Sequence, residues 1–240
     1  MMHSFYVPKT QCNEDFITIT DSEHHHLRNV LRLENGETIR IIDGEGSVYI
    51  AETSDIKTDS TVVRLLNHKH YPKTAPAIIL FQGIPKHDKM EWILQKTTEL
   101  GVSHIVPILT ERSLQIPSEN RYERWQRIIL TATKQCGRVW KPKLGNMINF
   151  QECINAIHSH TLRLILWEQE KRQHIKSVLR ESPKVDSIAL VVGPEGGFTE
   201  KEIDAAIDKG CITVTIGTNI LRTETAAITG IAIAAYEYEI

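Results

Sequence analysis

Five short apolar runs in the last two thirds of the chain limit its possible folds more than any other feature. Ala77–Phe81, His104–Leu109, Leu162–Trp167, Ile188–Val192 and Ile212–Ile216 are largely apolar instead of alternating. That pattern suits a strand covered on both faces, because a half-solvated strand alternates with a period of two. Stretches with helical rhythm lie between them. In 89–100 the apolar Met90, Ile93, Leu94 and Leu100 recur at helical intervals, and Gly101 supplies a stop. Residues 122–133, 172–180, 200–209 and 224–236 also read as helices. Strand–helix alternation with apolar strands predicts an α/β domain with a parallel sheet flanked by helices.

The first 70 residues follow a different rhythm. Phe5–Val7, Phe16–Ile19, Thr38–Ile42, Val48–Ala51 and Thr61–Leu66 are short and rich in β-branched or aromatic residues, with Gly36, Gly44 and Gly46 marking turns. One short helix is expected over 24–31, opened by Asp21-Ser22-Glu23. Residues 67–76 are polar, contain Pro72 and Pro76 and lack periodicity. The expected division is therefore a small β domain over 1–70 and an α/β domain over 76–240.

Composition excludes several classes. At 240 residues, 41% hydrophobic and 24% charged, the chain can bury a core like any ordinary globular protein. No apolar run approaches the roughly 20 residues of a membrane helix, and the N-terminus lacks a signal-peptide pattern, so a cytoplasmic location is expected. Cys12, Cys136, Cys153 and Cys211 form no CxxC pair, which argues against structural zinc. The run His24-His25-His26 is no better as a metal site, because adjacent helical residues point in different directions.

The net charge of −2 hides an uneven distribution. Residues 76–145 carry 11 Lys/Arg against 6 Asp/Glu, whereas the flanking segments are acidic. Seven cations (Arg121, Arg124, Arg127, Lys134, Arg138, Lys141 and Lys143) crowd into 121–143 with one anion, Glu123. Such a zone suits a polyanionic partner.

Two segments at strand ends carry the chemistry. Gly193-Pro194-Glu195-Gly196-Gly197-Phe198-Thr199 follows one apolar run and precedes a helix, with Thr199 and Glu202 spaced as a capping box. Ligands of open α/β sheets bind beyond the carboxyl ends of the strands, where glycines allow close backbone approach. The segment is neither GxGxxG nor a P-loop, and Pro194 and Glu195 suit a phosphate poorly, so a neutral or cationic ligand fits better. A plain strand-to-helix turn is the alternative reading. The second segment, Ile216-Gly217-Thr218-Asn219-Ile220-Leu221-Arg222-Thr223-Glu224-Thr225, also opens a helix, which Thr223 or Thr225 could cap. Arg222 is either an ordinary surface arginine or a fixed charge with five donors aimed at a ligand.

Together the two segments resemble the SPOUT methyltransferases, specifically the ribosomal RNA small subunit methyltransferase E family. Gln82-Gly83-Ile84-Pro85-Lys86, Asp88-Lys89-Met90-Glu91, Gln95–Val102, Thr110-Glu111-Arg112-Ser113 and Ala132–Arg138 extend the resemblance over nearly the whole chain. His24–His26 with Leu27–Arg32 resembles a further family segment. Two departures stand out: Met2, His3 and Ser4 occupy the start, where relatives often carry an arginine, and Cys136 replaces a serine common in relatives.

The resemblance implies a PUA-like N-terminal β-barrel, a SPOUT domain with a trefoil knot, a homodimer, and methyl transfer from S-adenosylmethionine to N3 of a uridine in 16S rRNA, within the 30S subunit. It implies cofactor contacts at Leu166, Trp167, Gly193, Glu195, Gly196, Gly197, Ile216, Gly217, Ile220 and Leu221. Arg222 is the expected catalytic residue. Arg28, Arg32, Arg112, Arg121, Arg124, Arg127, Lys134, Arg138 and Lys141 are the expected RNA contacts. No metal and no membrane association are expected. A non-catalytic RNA-binding protein or a phosphate-handling α/β enzyme are the rival readings, distinguished by whether the chain binds the methyl donor, neither ligand, or a nucleoside triphosphate.

Overall fold

A computed structural model describes residues 2–12, 15–113, 116–157 and 161–240. The chain forms two compact units, one of residues 1–73 and 133–141, the other of residues 74–132 and 142–240.

In the first unit, β1 (Ser4–Tyr6), β2 (Phe16–Thr20), β3 (Thr38–Ile42), β4 (Ser47–Ile56) and β5 (Ser60–His70) form one sheet in the order β1-β3-β4-β5-β2. Only the β1–β3 pair is parallel. Phe5, Ile17, Ile19, Ile39, Ile41 and Val63 alternate inward from these strands and meet Leu27 in a shared core. Leu27 lies in a π-helical turn, His26–Val30, that continues α1 (Asp21–His25). The helix expected over 24–31 thus opens three residues earlier and widens at its end. His24 is buried, with ring nitrogens 2.8 Å from the Thr61 hydroxyl and 3.2 Å from the Thr58 carbonyl. A carbonyl only accepts, so Nε2 carries a proton and donates to Thr58 O. His25 and His26 point to solvent.

Residues 67–70, read from sequence as part of a linker, instead complete β5. They pair with Ser47–Ile50 of β4 beyond a register shift at Ile50/Ala51. Their side chains are exposed, so the backbone ladder holds them without any apolar alternation to reveal it. Residues 133–141 also belong with this unit, not with the α/β segment that contains them in sequence. Gly46 N donates to Val139 O at 3.1 Å, Lys141 N to Gly44 O at 3.0 Å, and Trp140 Nε1 to Tyr71 O at 3.0 Å. Each of these bonds joins residues far apart in the chain, and such contacts leave no local pattern.

In the second unit, β6 (Ala77–Gly83), β7 (His104–Leu109), β8 (Lys143–Leu144), β10 (Thr161–Leu166), β11 (Ser187–Val192) and β12 (Ile212–Val214) form a parallel sheet in the order β12-β10-β11-β6-β7-β8. β9 (Ile148–Asn149) also pairs with β7. The helices are α2 (Lys89–Glu99), α3 (Glu119–Cys136, its last turn in the first unit), α4 (Phe150–Ala156), α5 (Ile175–Glu181), α6 (Glu200–Asp208) and α7 (Thr223–Glu237).

The sheet has a core on each face. Ile78 and Leu80 of β6 and Ile188, Leu190 and Val192 of β11 pack with Met90, Ile93 and Leu94 of α2 and Ile231 of α7. Phe81, Ala189 and Val191 from the same strands pack oppositely, with Phe150 of α4 and Ile203 of α6. Alternate residues of one strand thus enter different cores, which is why the runs are apolar throughout. α7 returns from the edge strand β12 to lie against β6 and β11.

The two-residue strands β8 and β9 and the seven-residue α4 were not anticipated, since each is too short for periodicity to register. Asn149 and Glu152 did hold a usable signal. They form a complete capping box, both bonds 2.8 Å, at the start of α4.

Candidate functional site

Parallel strands finish on one side, so the loops after β6, β7, β10, β11 and β12 share an edge of the sheet. Register brings three of them level: Leu166 of β10 pairs with both Val192 of β11 and Val214 of β12. Trp167, Gly193 and Thr215 therefore leave the sheet side by side.

Thr223 connects the two segments singled out in the sequence. Its buried hydroxyl donates to Gly193 O at 2.5 Å and accepts from Gln82 Nε2 at 3.0 Å. Neither threonine expected as the α7 cap serves as one. Arg222 holds the N-cap position without a side-chain cap bond, and the helix opens one residue earlier than a Thr223 cap requires. Thr223→Val preserves shape but strips partners from Gly193 O and Gln82. The expected cost is about 1–3 kcal/mol. Thermal denaturation should show Tm falling by roughly 2–4 °C per kcal/mol, and an unchanged Tm would deny the hydroxyl this role.

Lys89, in the first turn of α2, ties the same loops from a third direction. Its ammonium lies 3.0 Å from Glu195 Oε1 and 3.3 Å from Glu224 Oε2. Burial pushes the Glu195 carboxyl up, but Lys89 and the backbone N–H groups of Glu195 and Lys86 outweigh it and hold the group below the usual carboxylate range. Lys89 is raised, chiefly by its hydrogen bond to Glu195. Both are partly solvated, so the pair contributes more to loop placement than to stability.

A further wall comes from the segment after β7. Arg112 Nη1 donates to Gly196 O at 2.6 Å, Glu111 N donates to Glu202 Oε1 at 2.9 Å, and Thr199 Oγ1 donates to Glu111 Oε2 at 3.2 Å. The expected capping box is present: Thr199 N donates to Glu202 Oε2 at 2.9 Å and Glu202 N to Thr199 Oγ1 at 3.3 Å. Sequence reasoning quoted Lys89 and Glu111 only within segments of the resemblance and expected Arg112 at RNA; nothing local shows that these residues meet the glycine loop.

The residues singled out for ligand binding line the edge above β10, β11 and β12. Gly193 is buried, Gly197 partly so, and Glu195 and Gly196 face solvent. Leu166, Trp167, Ile216 and Leu221 are half-buried, Gly217 is exposed, and Ile220 is 81% exposed. A Cβ added at Gly217 would meet nothing within 4 Å. The buried Trp167 Nε1 and Gln82 Oε1 have no hydrogen-bond partner among the described residues. Arg222 is exposed at the opening of α7, its side chain without an ion pair or hydrogen bond to a described residue.

The expected RNA contacts divide between the units. In the α/β unit, Arg121 donates to His87 O and lies 5.9 Å over the Trp125 ring, Arg124 pairs with Glu91 at 2.8 Å, and Arg127 is exposed. Arg112 reaches the glycine loop, as described. In the first unit, Arg28 donates to Thr58 O at 2.8 Å, Lys134 pairs with Glu23 at 2.5 Å, and Lys141 lies 5.0 Å over Tyr6. Arg32 is exposed, and burial lowers the Arg138 pKa. Glu91 and Glu23 offset part of the positive charge that the sequence tally credits to the basic segment.

Comparison with known proteins bears on the whole chain. The family model described as an RNA methyltransferase domain matches residues 72–235, and one described as an RNA methyltransferase PUA domain matches 19–66. The ribosomal RNA small subunit methyltransferase E of Synechocystis sp. is 34% identical over 97% of this chain and 77% of its own. The protein of that name from Rickettsia conorii is 32% identical, covering 95% and 92%. A crystal structure of the Neisseria gonorrhoeae ribosomal RNA small subunit methyltransferase E bound to S-adenosyl methionine superposes with a TM-score of 0.90, 31% identity and 98% coverage of both chains.

Proposed function

We propose that this chain, which belongs to the ribosomal RNA small subunit methyltransferase E family, transfers the methyl group of S-adenosylmethionine to N3 of a uridine in 16S ribosomal RNA. The observation that carries the reading is the Thr223–Gly193 bond of 2.5 Å. It joins the two strand-end loops into one site, as a ligand shared between them requires.

The donor supplies an electrophilic methyl on a cationic sulfur. Backbone groups of Gly193, Gly196, Gly197 and Gly217 hold it, with Glu195 as the nearby acid. Apolar side chains of Leu166, Trp167, Ile216, Ile220 and Leu221 enclose its adenine. Catalysis is then mostly positional, with the nucleophile held in line with the bond that breaks. The N3–CH3 bond forms as the sulfonium S–CH3 bond breaks to leave a neutral thioether; the proton that uracil N3 carries at neutral pH passes to solvent, and the charge that develops as it leaves spreads onto O2 and O4. Arg222, at the mouth of the site, stabilises that charge by hydrogen bonding.

Arg28, Arg32, Arg112, Arg121, Arg124, Arg127, Lys134, Arg138 and Lys141 contact RNA, mostly at phosphates, across a division of labour between the PUA unit and the methyltransferase unit. The substrate is the 16S RNA of the 30S subunit, the working form is a homodimer, and the location is the cytoplasm. RNA affinity should fall steeply with salt, each phosphate contact adding about 0.7–0.9 to the log–log slope. Removing Arg127, exposed on α3, should lower that slope by about 1 while weakening all RNA sequences alike; a flat salt response would leave the basic helix without this role. Mass mapping of 16S RNA from cells lacking this protein tests the function itself. One missing N3-methyluridine is expected, and an unaltered map would overturn it.

A further inference from the structure

We infer that Glu168 is a specificity-determining residue for the methyl donor, its carboxylate accepting hydrogen bonds from the ribose hydroxyls. This rests on the function proposed above. Glu168 is the second residue beyond β10, directly after Trp167, and it is exposed. None of the sequence motifs includes it.

Its side chain lies on the glycine loop. A Cβ added at Gly197 would overlap Glu168 Oε1 and stand 3.0 Å from its Cδ and Oε2. The carboxylate thus occupies the space that a side chain at 197 would take. Gly197 has a φ of +67°, which glycine adopts without strain. The other carboxylates at this edge are already engaged. Glu195 and Glu224 share Lys89. Glu202 accepts from the Thr199 and Glu111 N–H groups, and Glu111 accepts from the Thr199 hydroxyl. Glu170 Oε1 accepts from Arg172 N at 2.8 Å and Gln173 N at 3.1 Å, and its Oε2 from Thr213 Oγ1 at 2.7 Å. The Glu168 carboxylate makes no hydrogen bond or ion pair with a described residue. Both of its oxygens can accept from a ligand.

The sheet indicates which part of the ligand it meets. β10 and β11 are parallel neighbours, with Leu166 level with Val192. A glycine-rich turn therefore follows one strand and an acid follows the next. In dinucleotide-binding α/β sheets a glycine-rich turn and an acid placed this way hold the phosphates and the ribose hydroxyl respectively. Order along the donor agrees. Leu166 and Trp167 belong to the apolar wall assigned to adenine, and Glu168 comes next in the chain. Ribose is bonded directly to adenine, whereas the sulfonium and the ammonium stand farther along the molecule. Two adjacent O–H donors match two carboxylate oxygens, and hydrogen bonds to a charged acceptor are the stronger kind.

Calorimetry tests the assignment as a thermodynamic cycle. The full-length proteins are wild type, Glu168→Ala and Glu168→Gln. The ligands are S-adenosylmethionine, S-adenosylhomocysteine and 2′,3′-dideoxy-S-adenosylhomocysteine. Wild type should bind the dideoxy compound at least about tenfold more weakly than S-adenosylhomocysteine, on the scale of hydrogen bonds to a charged group. Glu168→Ala should weaken both hydroxylated ligands by a similar factor. In that variant, removing the hydroxyls should cost less than about threefold, because their acceptor has gone. Glu168→Gln keeps one acceptor oxygen and should fall between. The side chain is exposed and unpartnered among the described residues, so these losses are read without disturbing the fold. An equal cost of removing the hydroxyls in wild type and Glu168→Ala overturns the proposal. So does a loss confined to S-adenosylmethionine, which would mean that the carboxylate answers the sulfonium charge. Either result, with wild type still binding S-adenosylmethionine, sinks the ribose contact alone, whereas a wild type that binds no S-adenosylmethionine sinks the methyl-transfer function with it.

Discussion

Arg222→Ala should lower methyl-transfer turnover by a factor of about 10² or more, the scale for losing one donor aimed at developing charge. Affinity for S-adenosylmethionine should stay close to wild type. The two readings separate because of where Arg222 sits. It is exposed, its side chain forms no ion pair or hydrogen bond with a described residue, and it caps α7 with its backbone alone, Arg222 O accepting from Ala226 N at 2.8 Å. Removing the side chain therefore leaves no buried partner stranded and should cost little stability. Single-turnover rates at saturating donor, with calorimetric donor binding alongside, make the measurement. Lysine at this position keeps the charge but not the planar fork, and should recover only part of the rate. A variant that turns over like wild type would return Arg222 to the status of a surface arginine.

The second large effect is expected from Gly83→Ala. A Cβ there would stand 2.6 Å from both N and Cδ of Pro194 and 2.8 Å from Gly193 C. Those neighbours are backbone and a proline ring, so neither can rotate away. The end of β6 and the glycine loop must separate, at a cost of about 1–3 kcal/mol for overpacking. The separation falls on the contact that Thr223 and Gln82 also hold, with Gln82 Nε2 2.8 Å from Gly83 O. Affinity for S-adenosylmethionine should drop about tenfold for each 1.4 kcal/mol that the bound arrangement loses. Tm should fall as well. Unchanged donor affinity together with unchanged Tm would mean that the loop does not depend on this close approach.

The folding class was legible in the chain because each face of the parallel sheet has its own core. β6 sends Ile78 and Leu80 one way and Phe81 the other, so its sequence cannot alternate, and the apolar run announces the strand. The capping box at Thr199 and Glu202 was legible for a similar reason: a local bond needs a local spacing. The glycine loop and the segment before α7 stood out because each follows an apolar run, opens a helix and has an unusual composition.

Tertiary structure alone decided what surrounds those loops. Lys89 holds Glu195 and Glu224 from a helix more than a hundred residues away in the chain, and Arg112 lies on Gly196 across a similar distance. The last residues of β5 and the stretch 133–141 were misplaced from sequence for the same cause. Backbone hydrogen bonds between distant segments place no demand on side-chain type, so they write no periodicity. Local spacing and two-faced burial are recorded in the sequence; the meeting of remote polar groups is set only when the sheet order brings their strands together.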